Sequence, residues 1–224
     1  MKTDGKAMLA CVDVDYRNDR AGVQSPKVPR SDLSTTSGGI AHAIAACVLF
    51  DEWTSPELAA EFTARIETVA DYVPGEFYRR ELPCLMAVLQ PVWEQLSTIE
   101  QLSTIIVDGY VWLPESQELE NSSTNGSVGN WPISVPADCR PGMGAWLYRE
   151  LQGRVPIVGV AKSAFQGDCG AVKVLRGESK TPLLITAVGI DVQKAAGKVK
   201  RMHGRHRIPT LLKRVDHLAR SASR

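Results

Sequence analysis

The chain has 224 residues, 44% of them hydrophobic and 23% charged, which is enough for a full core in one domain or at most two small ones. A formal net charge of +1 does not commit the whole molecule to a polyanion, and no run approaches the ~20 apolar residues of a membrane span. Residues 1–5 lack the apolar region of a secretory signal, so a cytoplasmic setting is expected. Five cysteines, none in a C-x-x-C pair, argue against a structural zinc site. Cys11 and Cys47 lie in apolar runs and read as small core residues of a reducing compartment.

In chain order, residues 8–14 predict a strand. Residues 17–37 are polar, contain Gly22, Pro26 and Pro29, and predict a loop. Residues 39–50 (GIAHAIAACVLF) fit either a helix or a second strand. A turn or short helix is expected at 53–60, and the alternation over 62–69 predicts a third strand. Residues 77–95 carry Leu82, Leu85, Met86, Leu89, Val92 and Trp93 at helical spacing. Pro83 is expected in the first turn of that helix, and Pro91 is expected to kink or end it early. Strands are predicted at 103–108, 155–161 and 183–188, and helices at 143–151, 192–202 and 211–219. Residues 115–141 are rich in Ser, Asn, Gly and Pro and predict a long flexible loop. The order of elements predicts one α/β domain over 1–224, a mixed β-sheet flanked by α-helices, with its ligand site beyond the strand carboxyl ends.

Acidic residues fall at such ends. Ile105-Ile106-Val107-Asp108-Gly109 is a β-branched run delivering a carboxylate, and Ala10-Cys11-Val12-Asp13 is another. Glu81 stands near the start of the 77–95 helix. Three carboxylates on three elements suggest a site for a hard divalent cation such as Mg²⁺, with Mn²⁺ as an alternative. Such ions clamp the attacking and leaving oxygens of a phosphodiester displacement. Lys162, at the end of the 155–161 strand, stands where it can orient water or offset developing charge. After Asp191 the only acid is Asp216, against ten lysines and arginines that include Lys198, Lys200 and Arg201; such a face is a footprint for phosphate or a solvated helix surface. Either Asp216 or its neighbour His217 completes the site if the last helix packs against the strand ends.

Taken together, these stretches resemble the endonuclease V family, which has an RNase H-like fold. The matching motifs are Val12-Asp13-Val14, Tyr72-Val73-Pro74-Gly75 with Arg80-Glu81-Leu82-Pro83, Val107-Asp108-Gly109, and Val158-Gly159-Val160-Ala161-Lys162. Thr181-Pro182-Leu183 and Arg207-Ile208-Pro209, ending at Asp216, also fit. The resemblance implies metal-binding carboxylates at Asp13, Glu81 and Asp108, a further acidic residue at Asp216, Lys162 facing the scissile region, and a strand-separating wedge at 72–75. It implies an Mg²⁺-dependent endonuclease that cuts DNA or RNA one bond 3′ to inosine and leaves a 3′-hydroxyl and a 5′-phosphate, a nucleic-acid repair activity with no membrane partner. A monomer is expected. Val111 and Pro114 stand where the family carries a glycine and a histidine, so the base-recognition side is expected to differ. Two alternatives stand beside this: a nuclease of the same mechanism on another substrate, and a non-catalytic nucleic-acid-binding module.

Overall fold

The computed structural model describes residues 7–17, 42–71, 73, 76–96, 101–115, 134–165, 167 and 169–222. Its centre is strand β1 (Met8–Arg17). On one side β1 pairs antiparallel with β2 (His42–Phe50), from Leu9↔Phe50 to Arg17↔His42. On the other side it pairs parallel with β4 (Leu102–Val107), ending at Val12↔Val107. The small, apolar 39–50 stretch is therefore a strand over its described part. All nine residues of β2 are buried, so both faces are apolar and no alternation is left to distinguish strand from helix. Strand β3 (Ala60–Ile66) borders β2, and β7 (Ile157–Ala161) runs parallel to β4. β9 (Leu183–Val188) and β8 (Val172–Val174) close the sheet antiparallel, in the order β3-β2-β1-β4-β7-β9-β8. This is the expected mixed sheet.

Helices cover both faces. Met8, Ala10, Val12 and Val14 of β1 point into a core shared with α1 (Tyr78–Leu96) and α2 (Met143–Glu150). Leu9 and Cys11 point into a second core, closed by α3 (Val192–Arg201) and α4 (Thr210–Ser221). α1 stays within a residue of the expected 77–95 but departs from both proline expectations: Pro83 lies in its second turn, and the helix runs through Pro91 to Leu96. An interior proline costs about 3 kcal/mol. Cys84, Leu85, Val88, Leu89, Val92 and Leu96 are all buried along one stripe, and side chains of this size gain roughly 1.5–3 kcal/mol each on burial, which outweighs both prolines. No helix among the described residues is long and apolar enough to cross a membrane.

Three short strands are absent from the sequence reading. β8 is one; the others form a hairpin of β5 (Trp112–Pro114) and β6 (Cys139–Pro141), paired Trp112↔Pro141. The hairpin encloses residues 116–133, so most of the expected 115–141 loop, like most of the 17–37 loop, lies outside the described residues. Trp112 is buried, and its indole Nε1 donates to the Ala187 carbonyl at 3.1 Å, which anchors the hairpin to β9. Val111 is fully buried against Gly144 of α2 and is a core residue.

Cys11, Cys47 and Cys84 are free and buried. Cys139 and Cys169, thirty residues apart in sequence, form a disulfide with a Cα–Cα separation of 5.8 Å, a pairing that no spacing motif announces. It ties β6 to the segment after β7. Cross-linking a loop of this length restricts the unfolded chain by about 3–4 kcal/mol. Reduction, or Cys139→Ser, is therefore expected to lower the midpoint of thermal unfolding by several degrees, measured by circular dichroism with and without reductant. An unchanged midpoint would mean that the bridge contributes no stability.

Candidate metal centre

The site follows from strand register. Val12 and Val107 are paired in the parallel β1–β4 ladder, so the next residues, Asp13 within β1 and Asp108 just past β4, lie side by side where that ladder ends. Alternation along each strand sends them to the α3/α4 face, with Cys11 and Ile106 as the preceding residues on that face. Lys162 follows β7 in the same phase as Val158 and Val160. Its Nζ lies 2.5 Å from Asp108 Oδ2. Asp216 comes from α4 above them. One carboxylate oxygen from each of Asp13, Asp108 and Asp216 lies within 4.8 Å of the others.

Polar contacts hold α4 in place. Arg214 donates through Nε and Nη2 to the two oxygens of Glu61 on β3, at 2.5 and 2.8 Å. Arg17, at the end of β1, donates through Nη2 to the Ala219 and Arg220 carbonyls at 3.0 and 2.5 Å. The same Arg17 pairs through Nε with Asp15 Oδ2 at 3.0 Å, so Asp15 serves the strand end rather than the cluster. The cleft is lined by Asp13, Asp108 and Lys162 with apolar walls from Val160, Ile208, Leu212 and Val215. Lys162 pairs with Asp108 and Arg220 with Asp216. Asp13 is 6% exposed, and its Oδ1 accepts the Val14 N–H at 2.9 Å. Three hard oxygen donors this close, one of them buried, fit a divalent cation. Gly109 turns the chain immediately after Asp108 with φ of +149°, and nothing lies within 4 Å of where a Cβ would stand. Glycine takes that backbone conformation at no steric cost.

The remaining sequence-predicted residues distribute as follows. Glu81 is buried in the first turn of α1, on the opposite face of the sheet, and is outside the converging group. It nonetheless lies at the same end: burial, and after it the neighbouring Glu81, push the Tyr16 hydroxyl pKa far up, and Asp13 adds to this. Arg80 stacks on the Tyr16 ring with its guanidinium carbon 3.9 Å from the centroid. Of the expected wedge, Val73 is exposed, and Tyr72, Pro74 and Gly75 lie outside the described residues. His217 is exposed, so it is Asp216 that joins the site. Lys200 and Arg201 are exposed near the end of α3. Lys198 instead sits 5.3 Å from the Trp53 ring centroid, in the β2–β3 connection. That connection lies at the end of the sheet where β1 starts, away from the carboxylates. Two residues with no assigned role prove central to the surroundings. Arg207 donates through Nη2 to the Lys162 carbonyl, and to the Pro182 carbonyl at 2.8 Å. Arg176 is only 5% exposed, and its donors all meet backbone carbonyls. The sequence signal for Arg207 was the Arg-Ile-Pro motif; Arg176 carried none.

Because the three carboxylates repel one another, a bound cation should stabilise the fold. Mg²⁺ or Mn²⁺ at about a hundred times its dissociation constant adds about 2.7 kcal/mol, which is roughly 5–10 °C in the unfolding midpoint of a chain this size. Asp108→Asn and Asp216→Asn are each expected to lose most of that rise, and Asp15→Asn to keep it. Equal rises in all four proteins would show that the cation binds elsewhere.

No protein-family model matches the chain, and no curated protein matches it in sequence. Solved structures do match in fold. The catalytic domain of human endonuclease V is 18% identical with a TM-score of 0.61, the alignment covering 98% of this chain and 83% of that one. Ciona intestinalis endonuclease V, in complex with a 24mer DNA containing an inosine followed by a ribo-adenosine, is 15% identical with a TM-score of 0.63, over 96% and 85%. The Bacillus subtilis endonuclease V is 14% identical with a TM-score of 0.60, over 98% and 81%. Over nearly its whole length, this chain has the fold of the endonuclease V structures.

Proposed function

We propose that the protein is a divalent-metal-dependent endonuclease that cleaves the phosphodiester bond 3′ to inosine in DNA or RNA, leaving a 3′-hydroxyl and a 5′-phosphate. The observation that carries this reading is the convergence of Asp13, Asp108 and Asp216 beside Lys162, at the carboxyl end of the sheet. The shared fold supports it, as does the DNA with an inosine held by the Ciona protein. Asp13, Asp108 and Asp216 would hold the cation, and Glu81, assigned by its Arg-Glu-x-Pro motif, would join them from the α1 side. A bound Mg²⁺ or Mn²⁺ would lower the pKa of water and neutralise charge on the leaving oxygen. Lys162, a third exposed, orients the scissile phosphate while its ammonium offsets the Asp108 charge. Residues 72–75 are the proposed wedge that lets a base leave the stack. The whole chain acts as one domain and a monomer in the cytoplasm, where its Cys139–Cys169 bridge is open to reduction.

A second reading keeps the mechanism and changes the substrate. It is favoured by Pro114, which occupies the expected histidine position, lies in the β5–β6 hairpin, and can neither titrate nor donate a side-chain hydrogen bond.

The deciding experiment is a nicking assay on single- and double-stranded DNA and RNA, with inosine or adenosine at one position, with Mg²⁺ or with chelator. We expect metal-dependent cuts 3′ to inosine. Asp108→Asn is expected to cut at least about a thousandfold more slowly while still binding, because an amide is an uncharged and poorer ligand. Metal-dependent cutting that ignores inosine selects the second reading, and near-native cutting by Asp108→Asn removes that residue from the centre.

A further inference from the structure

Resting on the nuclease reading, we propose that Arg176 is a positioning residue that preforms the basic turn at 200–207 as the dock for the substrate's sugar-phosphate backbone, with Arg205 and His206 as its contacting side chains. The guanidinium has five N–H donors, and all five are used. Nε donates to Lys200 O at 3.3 Å, Nη1 to His206 O and Arg207 O at 3.1 and 3.2 Å, and Nη2 to Gly204 O at 3.1 Å and to Met202 O. Five carbonyls from eight consecutive residues thus point at one side chain. Burying a charge is costly unless it is fully hydrogen-bonded, so this turn has one low-energy shape only while Arg176 is present.

The neighbouring backbone is built to the same end. Gly177 has φ of +58°, and a Cβ there would collide with the Arg205 carbonyl. Arg207 then ties the turn to the Lys162 and Pro182 carbonyls, and His203 Nδ1 meets Thr210 Oγ1 at 3.0 Å at the start of α4. The next residue, Ile208, lines the carboxylate cleft. The turn therefore stands at the edge of the proposed catalytic centre.

Its charge is one-sided. Arg201, His203, Arg205 and His206 are exposed, and no acid occurs between Asp191 and Asp216. The partners of Arg176 are carbonyl dipoles, so its positive charge adds to the potential of the turn. Arginines interleaved with histidine donors on a rigid turn beside a phosphodiester-cleaving centre suit a sugar-phosphate strand. They do so better than the α3 helix face, where Lys198 is engaged with Trp53.

The test measures binding of a labelled duplex and a labelled single strand of ordinary sequence, without inosine and in chelator, across a salt series, so that it does not depend on catalysis. Arg205→Ala/His206→Ala is expected to weaken binding about tenfold and to flatten the slope of log affinity against log salt by about one. Arg176→Lys keeps the charge and has only three donors; it is expected to show the same loss of slope, and the triple variant little more. A native affinity and slope in Arg205→Ala/His206→Ala overturns the contact assignment, and a folded Arg176→Lys with a native slope overturns the positioning role. If Arg176→Lys does not fold, Gly177→Ala, which pushes the turn through the Arg205 carbonyl, decides in its place. A flattened slope supports the positioning role, and a native slope rejects it. Salt-sensitive binding through this turn by a protein that nicks nothing would reject the nuclease reading and leave the dock standing.

Discussion

The parallel pairing of β1 with β4 is the constraint on which the rest depends. The ladder between these two buried strands ends in register, at Val12↔Val107, and each strand carries an aspartate at the next position. In a two-residue repeat, a slip of one position would turn one carboxylate into the α1/α2 core and leave the other in the cleft. The apolar pattern prevents that slip. Met8, Ala10, Val12 and Val14 pack on one face of β1 and Leu9 and Cys11 on the other, so burial on both sides of the sheet holds the two acids together.

Bringing acids together is unfavourable, and the surroundings show how the cost is contained. Lys162 pairs with Asp108, and Arg220 with Asp216. Both pairs are partly exposed, so they screen the repulsion without adding much stability. The third carboxylate arrives on a separate helix, and α4 is braced by the bidentate Arg214–Glu61 pair and by Arg17. These contacts place Asp216 to within the reach of a single cation, which is the condition for a metal centre rather than a set of surface acids. Glu81 reaches the same end of the sheet from the other face, through a neighbourhood shared with Tyr16 and Arg80.

On the far side of the cleft the organising groups are arginines that address backbone. Arg207 joins the ends of β7 and β9 to the turn before α4, and Arg176 gathers five carbonyls of that turn. Carbonyl oxygens satisfy a guanidinium without neutralising it. The positive charge therefore remains available to the solvent side, in a region where exposed basic residues follow one another.

The sequence by itself determined the mixed α/β sheet, most of its strands and the four helices of the described residues. Long apolar runs bounded by turn residues have few other places to go. It also pointed to Asp108 and Lys162 as strand-end groups, because each follows a buried apolar run, whereas β1 runs on past Asp13 to Arg17 because it keeps pairing with β2. Tertiary structure decided the remainder. His42–Phe50 needed neighbours on both edges to become a strand, and α1 needed a core beneath it to continue through Pro91. β5, β6 and β8 are three residues each, too short to carry a period. The Cys139–Cys169 bridge joins positions that only the β6 edge and the post-β7 segment bring together. Asp216, from a helix, converges with the two strand acids, and Glu81 packs from the opposite face. Arg176 was silent in the sequence, because its partners are main-chain carbonyls, and a carbonyl has no residue type to be read.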